Sequence, residues 1–253
     1  MIPVYPEFTQ LPGRRELWKL SFGDGDAFLN DFFRTGFQKD HCRCLMQGDT
    51  AAAALYWFDG QYAGETYAYL YAVATHPEYR HQGLIHYLLA DTHQLLAARG
   101  YAGAMLVPAD EGLRQMYTAI GYHDCTTVSQ FVCSSLPVEV IMHSIDREEY
   151  QRLRRDFLPQ NGMVQEGCNL TFLETQAKFY TGPGFLLCCT PKDPDTLTGI
   201  EYLGDPAAAP GILCSLGYAH GSFQTPGEKL PYAMLFPLKK DCPEPGYLGL
   251  SFA

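Results

Sequence analysis

The residues best suited to chemistry lie in one short turn, Thr75-His76-Pro77-Glu78-Tyr79-Arg80-His81-Gln82-Gly83-Leu84-Ile85. A strand-like run enters it, and Pro77 ends that strand's pairing because it has no N–H to give. A run with helical periodicity leaves it. Arg80-x-x-Gly83 at the mouth of a helix suits a phosphate. Helix-initial N–H groups have no intrahelical partner and sit at the positive end of the helix dipole, so a pyrophosphate accepts from several at once. Gly83 removes a side chain that would stand in the way, and Arg80 adds a fixed positive charge.

Other chemistries have weaker support. His86 and His93 are seven residues apart on one helix, about 10 Å along its axis, too far to share an ion at bonds of ~2 Å. His76 and His81 have no carboxylate or thiol pattern beside them, and no metal is expected. The chain has neither a Gly-x-Ser-x-Gly nucleophile elbow nor a Gly-Lys-Ser/Thr phosphate loop. Its nine cysteines are odd in number and lack any Cys-x-x-Cys. Cys42-x-Cys44 and Cys188-Cys189 read as reduced thiols in strands.

The elements that position the turn follow from periodicity. Residues 2–5 suit a short strand and 11–22 a helix. A second helix would hold Phe28, Leu29, Phe32, Phe33 and Phe37, with Asp24 or Asp26 as its cap. Its aromatic face is either core or the wall of a pocket. Residues 42–46 and 51–58 form a hairpin, and Asp59-Gly60 marks a further turn. In the strand 67–74, period two places Tyr67, Tyr69, Tyr71 and Val73 on one face and Ala68, Leu70, Ala72 and Ala74 on the other. The tyrosine face is ordinary packing or one side of an amphipathic pocket. The helix 83–99 runs about 25 Å at 1.5 Å per residue and stops at Gly100. A buried strand at 102–107 leads to Asp110, which caps a helix at 111–120 ended by Gly121. One or two strands follow at 122–133.

Composition narrows the function classes. At 253 residues the chain is long enough for one large domain or two ordinary ones. An apolar share of 47% against 18% charged is that of a globular protein. The formal charge of −10 argues against nucleic acid as partner, because phosphate wants a basic face. It fits a cationic acceptor, or simply a solvated acidic surface. No leader-like segment follows Met1, and no run reaches the ~18 apolar residues that span a bilayer. A membrane partner is not expected, and the expected location is the cytoplasm.

Some forty residues beyond the strand comes Met116-Tyr117-Thr118-Ala119-Ile120-Gly121-Tyr122. With it, residues 10–130, and most closely 67–122, resemble the GNAT superfamily of acyl-CoA-dependent N-acetyltransferases. That family's first motif is Arg or Gln, two residues, Gly, one residue, then Gly or Ala. Its later signature is Tyr-x-x-x-Gly followed by Phe or Tyr. Ile85 stands where the first motif prefers a small residue. Val73-Ala74-Thr75-x-Pro77-Glu78-Tyr79-Arg80 and Leu106-Val107-Pro108-Ala109 are similar to bacterial tandem-GNAT proteins of the enhanced-intracellular-survival type.

The resemblance implies an α/β GNAT fold, a mixed and mostly antiparallel sheet flanked by helices, with a second, degenerate GNAT-like domain. It implies acetyl-CoA as co-substrate. The backbone of Val73 and Thr75 would bond the pantetheine arm as an extra strand. Main-chain N–H groups of His81, Gln82, Gly83, Leu84, Ile85 and His86, with Arg80, would cradle the pyrophosphate. Tyr117 would be the general acid that protonates the departing thiolate, a sensible match for a phenol of ordinary pKa ~10. The alternative for Tyr117 is an aromatic on a helix's core face. An alkylamine acceptor is about 0.1% neutral at pH 7, a cost of about 4 kcal/mol, so a base or a water chain is needed. Glu65 and His76 are the candidates.

Leu136-Pro137 reads as a boundary between domains 1–135 and 136–253. Beyond it the order of elements repeats in outline: a strand at 138–145, helices at 146–158 and 170–180, and strands at 185–190 and 197–203. A helical segment at 207–216 precedes strands at 232–238 and 247–252. At the comparable junction Gly204 to Gly211 has no Arg-x-x-Gly, Asp205 would repel a pyrophosphate, and Pro206 and Pro210 lack donors. Leu213 stands where the acid tyrosine would, in Leu213-x-x-x-Gly217-Tyr218. This half is expected to lack cofactor chemistry, to support the first and to wall the acceptor site. The expected activity is acetyl transfer to a primary amine of a small molecule or peptide by direct attack. The rival is a non-catalytic acyl-CoA-binding sensor or scaffold.

Overall fold

The structure is a computed structural model and describes residues 1–252. In chain order the helices are α1 (Leu11–Phe22), α2 (Asp26–Asp31), α3 (Leu84–Ala98), α4 (Glu111–Ile120), α5 (Arg147–Phe157), α6 (Cys168–Gln176) and α7 (Ala209–Leu216). The strands β1 (Cys42–Gln47), β2 (Thr50–Tyr62), β3 (Glu65–Thr75), β4 (Gly103–Leu106) and β5 (His123–Asp124) belong to the first half. They are followed by β6 (Thr127–Ser134), β7 (His143–Ile145), β8 (Val164–Gln165), β9 (Lys178–Gly182) and β10 (Phe185–Pro191). The last are β11 (Thr196–Gly204), β12 (His220–Pro226), β13 (Leu230–Pro231) and β14 (Met234–Pro237). No helix among the described residues is long and apolar enough to cross a membrane.

The residues group into two units, and neither is continuous. The first takes Met1–His123, Gly167–Phe172 and Met234–Pro243; the second takes Asp124–Glu166, Leu173–Ala233 and the residues from Glu244 on. The expected division at 135/136 differs from this grouping because strands choose partners across it. β6 pairs with β12, and β14 pairs with β4.

The first unit's sheet runs β1-β2-β3-β4-β14-β5, with β3 and β4 parallel and β1, β2 and β3 antiparallel in turn. The turn expected at Asp59-Gly60 lies further on. Gly60 pairs with Tyr67, and the chain reverses at Ala63-Gly64 with φ of 50° and 81°, the doubly left-handed turn that suits a twisted hairpin. On one face of this sheet Ala68 and Leu70 pack with Leu88, Leu89 and Leu96 of α3, all buried. Each such leucine contributes about 1.5–3 kcal/mol by leaving water. On the other face α1 and the turn that continues α2 bring a group of aromatic rings against β2 and β3. Gly25, not Asp24 or Asp26, occupies the N-cap of α2. Past Asp31 the helix widens into a π turn over Phe32–Gly36. Residues 2–5 form no strand beyond a single bridge between Val4 and Cys44.

The second unit's sheet runs β13-β6-β12-β11-β10-β9-β7. Its plan repeats the first. There, antiparallel β2-β3 carries an irregular register, α3 crosses over and β4 returns parallel. Here β10-β11 shifts register at Cys188/Cys189, α7 crosses over and β12 returns parallel. One face is the core of Phe185, Leu197, Phe223 and the α7 residues Ile212 and Leu213. On α5, Arg154 forms a fully buried ion pair with Glu201 at 2.6 and 2.9 Å, and Tyr150 donates to the same carboxylate at 2.7 Å. Residues 247–252, expected as a strand, are instead held by side chains. Tyr247 bonds Glu201 at 3.1 Å, Gln165 exchanges bonds with Leu250, and Gln224 donates to the Gly249 carbonyl at 3.3 Å.

Candidate active site

The site begins where β3 loses a neighbour. Its ladder with β4 holds for three pairs, Tyr67–Gly103, Ala68–Ala104 and Tyr69–Met105, and then stops. On the other side, pairing with β2 continues to Thr75. The stretch Leu70 to Thr75 thus presents one edge of backbone N–H and C=O groups with no strand beside it among the described residues, the feature an extended ligand arm uses when it adds to a sheet.

Within that stretch the strand is bulged. Tyr71 and Ala74 of β3 lie opposite Tyr56 and Ala54 of β2, so β3 holds one residue more than its partner, and Ala72 takes a left-handed φ of 49°. The bulge resets the alternation. Val73, expected on the tyrosine face, packs instead against the cluster of Ala68 and Leu70. Tyr67 and Tyr69 are core; Tyr71, at the bulge, is half-buried.

Beyond Thr75 the chain makes the expected turn. His76 Nδ1 accepts from the Glu78 N–H at 3.3 Å, so this imidazole caps a single 3-10 turn at Pro77–Tyr79. Arg80 Nε donates to the Thr75 carbonyl at 3.3 Å and the residue is exposed. His81 and Gly83 are left-handed, with φ of 61° and 73°, on either side of Gln82. Such a sequence makes a concave nest of N–H groups. A Cβ on Gly83 would touch nothing within 4 Å, so the glycine answers to the backbone angle more than to crowding inside the protein. The first bond of α3 runs from Tyr87 N–H to the Gly83 carbonyl at 3.1 Å. The amides of Leu84, Ile85 and His86 therefore point out of the helix end. Ile85 turns its side chain into the core cluster, so its bulk is directed inward while its amide stays at the helix end.

Tyr117 sits on α4, which Asp110 caps by accepting from the Leu113 N–H at 2.7 Å. It belongs to the same cluster as Val73, Leu84 and Ile85, so the strand edge, the turn and the tyrosine converge. The residue is 6% exposed, and burial pushes its phenol up to about 12. Its hydroxyl has no hydrogen-bond partner among the described residues, and its ring stands edge-on to Tyr122 at 5.5 Å. At neutral pH it carries its proton.

Of the two expected bases, one lies far from the turn and the other is engaged within it. Glu65 is ion-paired with Lys239 and lies at the far end of β3 from Thr75, about 33 Å away along the strand. His76 is engaged in its cap. The acid that does approach the bulge is Asp24, which the sequence suggested only as a helix cap. Trp18 Nε1 donates to it at 2.8 Å. The Tyr71 phenol is pushed well above its ordinary range by burial, with Tyr69 and the Asp24 carboxylate adding to the effect. Its neighbour Asp26 is spent on Arg15 and Lys19, both at 2.7 Å. Asp24 has no cationic partner among the described residues. Around it, Trp18 touches the rings of Phe22, Phe28, Phe32 and Tyr71 at centroid distances of 4.6–6.3 Å.

β3 thus loses its parallel partner just before the bulge, and a left-handed turn then leads into α3. Residues 8–124 match the family model of the Acetyltransferase (GNAT) domain. The segment thus matches a GNAT acetyltransferase family, one whose members use acetyl-CoA. No curated protein matches the chain in sequence. A GCN5-related N-acetyltransferase from Kribbella flavida is similar in structure, with a TM-score of 0.70 at 16% identity over 94% of this chain and 72% of that one. Eis1 from Mycobacterium abscessus gives 0.66 at 9% identity over 94% and 74%. A tandem GNAT protein from the clavulanic acid biosynthesis pathway gives 0.59 at 10% identity over 95% and 98%. At these identities the likeness is one of fold, and it extends over both units.

Proposed function

We propose that the chain is an acetyl-CoA-dependent N-acetyltransferase whose acceptor is a primary amine that arrives as a cation. One observation supports this most: the unpartnered β3 edge at the bulge, the left-handed turn and a protonated Tyr117 meet in one cluster. In this reading Val73 and Thr75 pair with the pantetheine arm through their backbone. The amides of residues 81–86, with Arg80, hold the pyrophosphate. The amine nitrogen attacks the thioester carbon, so a C–N bond forms and the C–S bond breaks. Tyr117 gives its proton to the departing thiolate sulfur, and the proton lost by the amine leaves through water.

The acceptor reading rests on Asp24. A carboxylate without a cationic partner among the described residues, held by the Trp18 indole N–H and near enough to the half-buried Tyr71 to act on its phenol, suits an ammonium group. The net charge of −10 draws cations toward the molecule. Nine cysteines, all free, fit a reducing compartment, and we place the protein in the cytoplasm. The second unit, with Leu213 buried in its core and no arginine at its turn, has a supporting role.

The test is release of CoA thiol from acetyl-CoA with a panel of alkylamines, arylalkylamines and peptide N-termini. Turnover is expected with cationic amines that carry an apolar body. Tight CoA binding with no turnover on any amine would mark a non-catalytic acyl-CoA sensor instead.

A further inference from the structure

Tyr117 has an unusual problem for a proton donor. Its hydroxyl has no hydrogen-bond partner among the described residues, so packing sets where it points. The residue against its ring is Tyr122, and the two are tied twice. The rings meet edge-on at 5.5 Å, and the Tyr122 N–H donates to the Tyr117 carbonyl at 3.1 Å across the end of α4. Tyr122 is in turn fixed by a polar contact deep in the core, where its hydroxyl lies 2.7 Å from His93 Nε2, with both residues buried. His93 stacks flat on Phe236 of β14 at 4.0 Å, and Tyr122 meets that same ring at 5.4 Å. The fit leaves little room: a Cβ on Gly121 would come within 3.1 Å of Phe236.

His93 lies on α3, ten residues beyond the turn that opens the helix. We infer that the buried His93–Tyr122 hydrogen bond is a brace joining the cradle-bearing helix to the acid-bearing helix, which makes His93 and Tyr122 positioning residues for Tyr117. The inference rests on the proposed role of Tyr117. Burial lowers the His93 imidazole to about 4, so it stays neutral and the bond keeps one form across the working pH range. A purely apolar pair would fill the same space, but a hydrogen bond also fixes one angular arrangement of the rings.

The experiment compares Tyr122→Phe, His93→Leu and His93→Gln in the full chain, using acetyl-CoA and the best amine of the panel. Tyr122→Phe and His93→Leu are expected to lower kcat about tenfold, with KM for acetyl-CoA within about twofold of the parent. His93→Gln, whose carboxamide can still bond the phenol, is expected to recover most of kcat. Ring signals of 13C-labelled Tyr117 in NMR should shift and broaden in the first two variants and not in the third. This second readout needs no turnover. A parent chain that acetylates nothing overturns the functional reading, while the ring signals still decide the brace. Unchanged kcat and unchanged Tyr117 signals in Tyr122→Phe, with only a lower Tm, would overturn it.

Discussion

A phenol held at about 12 by burial has a consequence for rate against pH. In the proposed reaction the acid must be protonated to act, and Tyr117 stays protonated at every pH below about 11. The proposed acceptor, an ammonium of ordinary pKa ~10, becomes a nucleophile only as it loses its proton. Turnover is therefore expected to rise with pH, close to tenfold per unit at limiting amine, without an alkaline fall before about pH 10. A falling limb near pH 8–9 would assign the acid to another group. Asp24 makes a separate prediction. Asp24→Asn keeps an acceptor for the Trp18 indole but removes the charge, so KM for a cationic amine should rise about tenfold while CoA affinity is unchanged. Isothermal titration with CoA and steady-state kinetics separate the two effects. The place of Tyr117 on a helix ended by Gly121 was legible from its spacing to Gly121-Tyr122. Asp24 was not, because Gly23-Asp24-Gly25-Asp26 offers two acids of one type. Only the partners of Asp26, Arg15 and Lys19, tell them apart.

At the scale of elements, the turn between β3 and α3 followed its sequence closely, because Pro77 and Gly83 each restrict the backbone to few forms. Gly83→Ala tests it. The substitution meets no neighbouring atom, so its effect is the strain of φ at 73°, about 1–2 kcal/mol, and a reshaped nest. CoA affinity is expected to fall about tenfold with kcat at saturation nearly unchanged, a result read from titration calorimetry and kinetics together. The bulge beside the turn left no trace in sequence. Its left-handed residue is Ala72, not glycine, and strict alternation assigned Val73 to the wrong face. The hairpin turn was displaced for the converse reason. Asp59-Gly60 looks like a turn, but Gly60 lies within the β2–β3 ladder and Ala63-Gly64 turns instead. The strand β12 was missed because Gly221 and Pro226 dilute its pattern.

For the molecule as a whole, two sheets of one plan were foreshadowed by element order, while the exchange of β6 and β14 between halves was not. Strand partners are chosen by distant residues, and a single chain does not display them. The end of the second unit shows this again. Tyr247, Leu248 and Leu250 are all buried, on both parities, because Gln165, Gln224 and Glu201 hold that segment in place of a ladder. The Arg154–Glu201 pair at its centre is expected to be sensitive. Arg154→Met leaves a buried carboxylate without its cation and should cost about 3–5 kcal/mol in urea unfolding, whereas an exposed pair such as Arg155–Glu166 should cost under about 1. The claim that the first unit is a catalytic site rests most directly on Tyr117. The measurement is kcat for Tyr117→Phe with acetyl-CoA and an accepted amine, beside the dissociation constant for CoA. A loss in kcat of about a hundredfold or more with CoA affinity retained is the predicted result. An unchanged kcat with the same CoA affinity would contradict it.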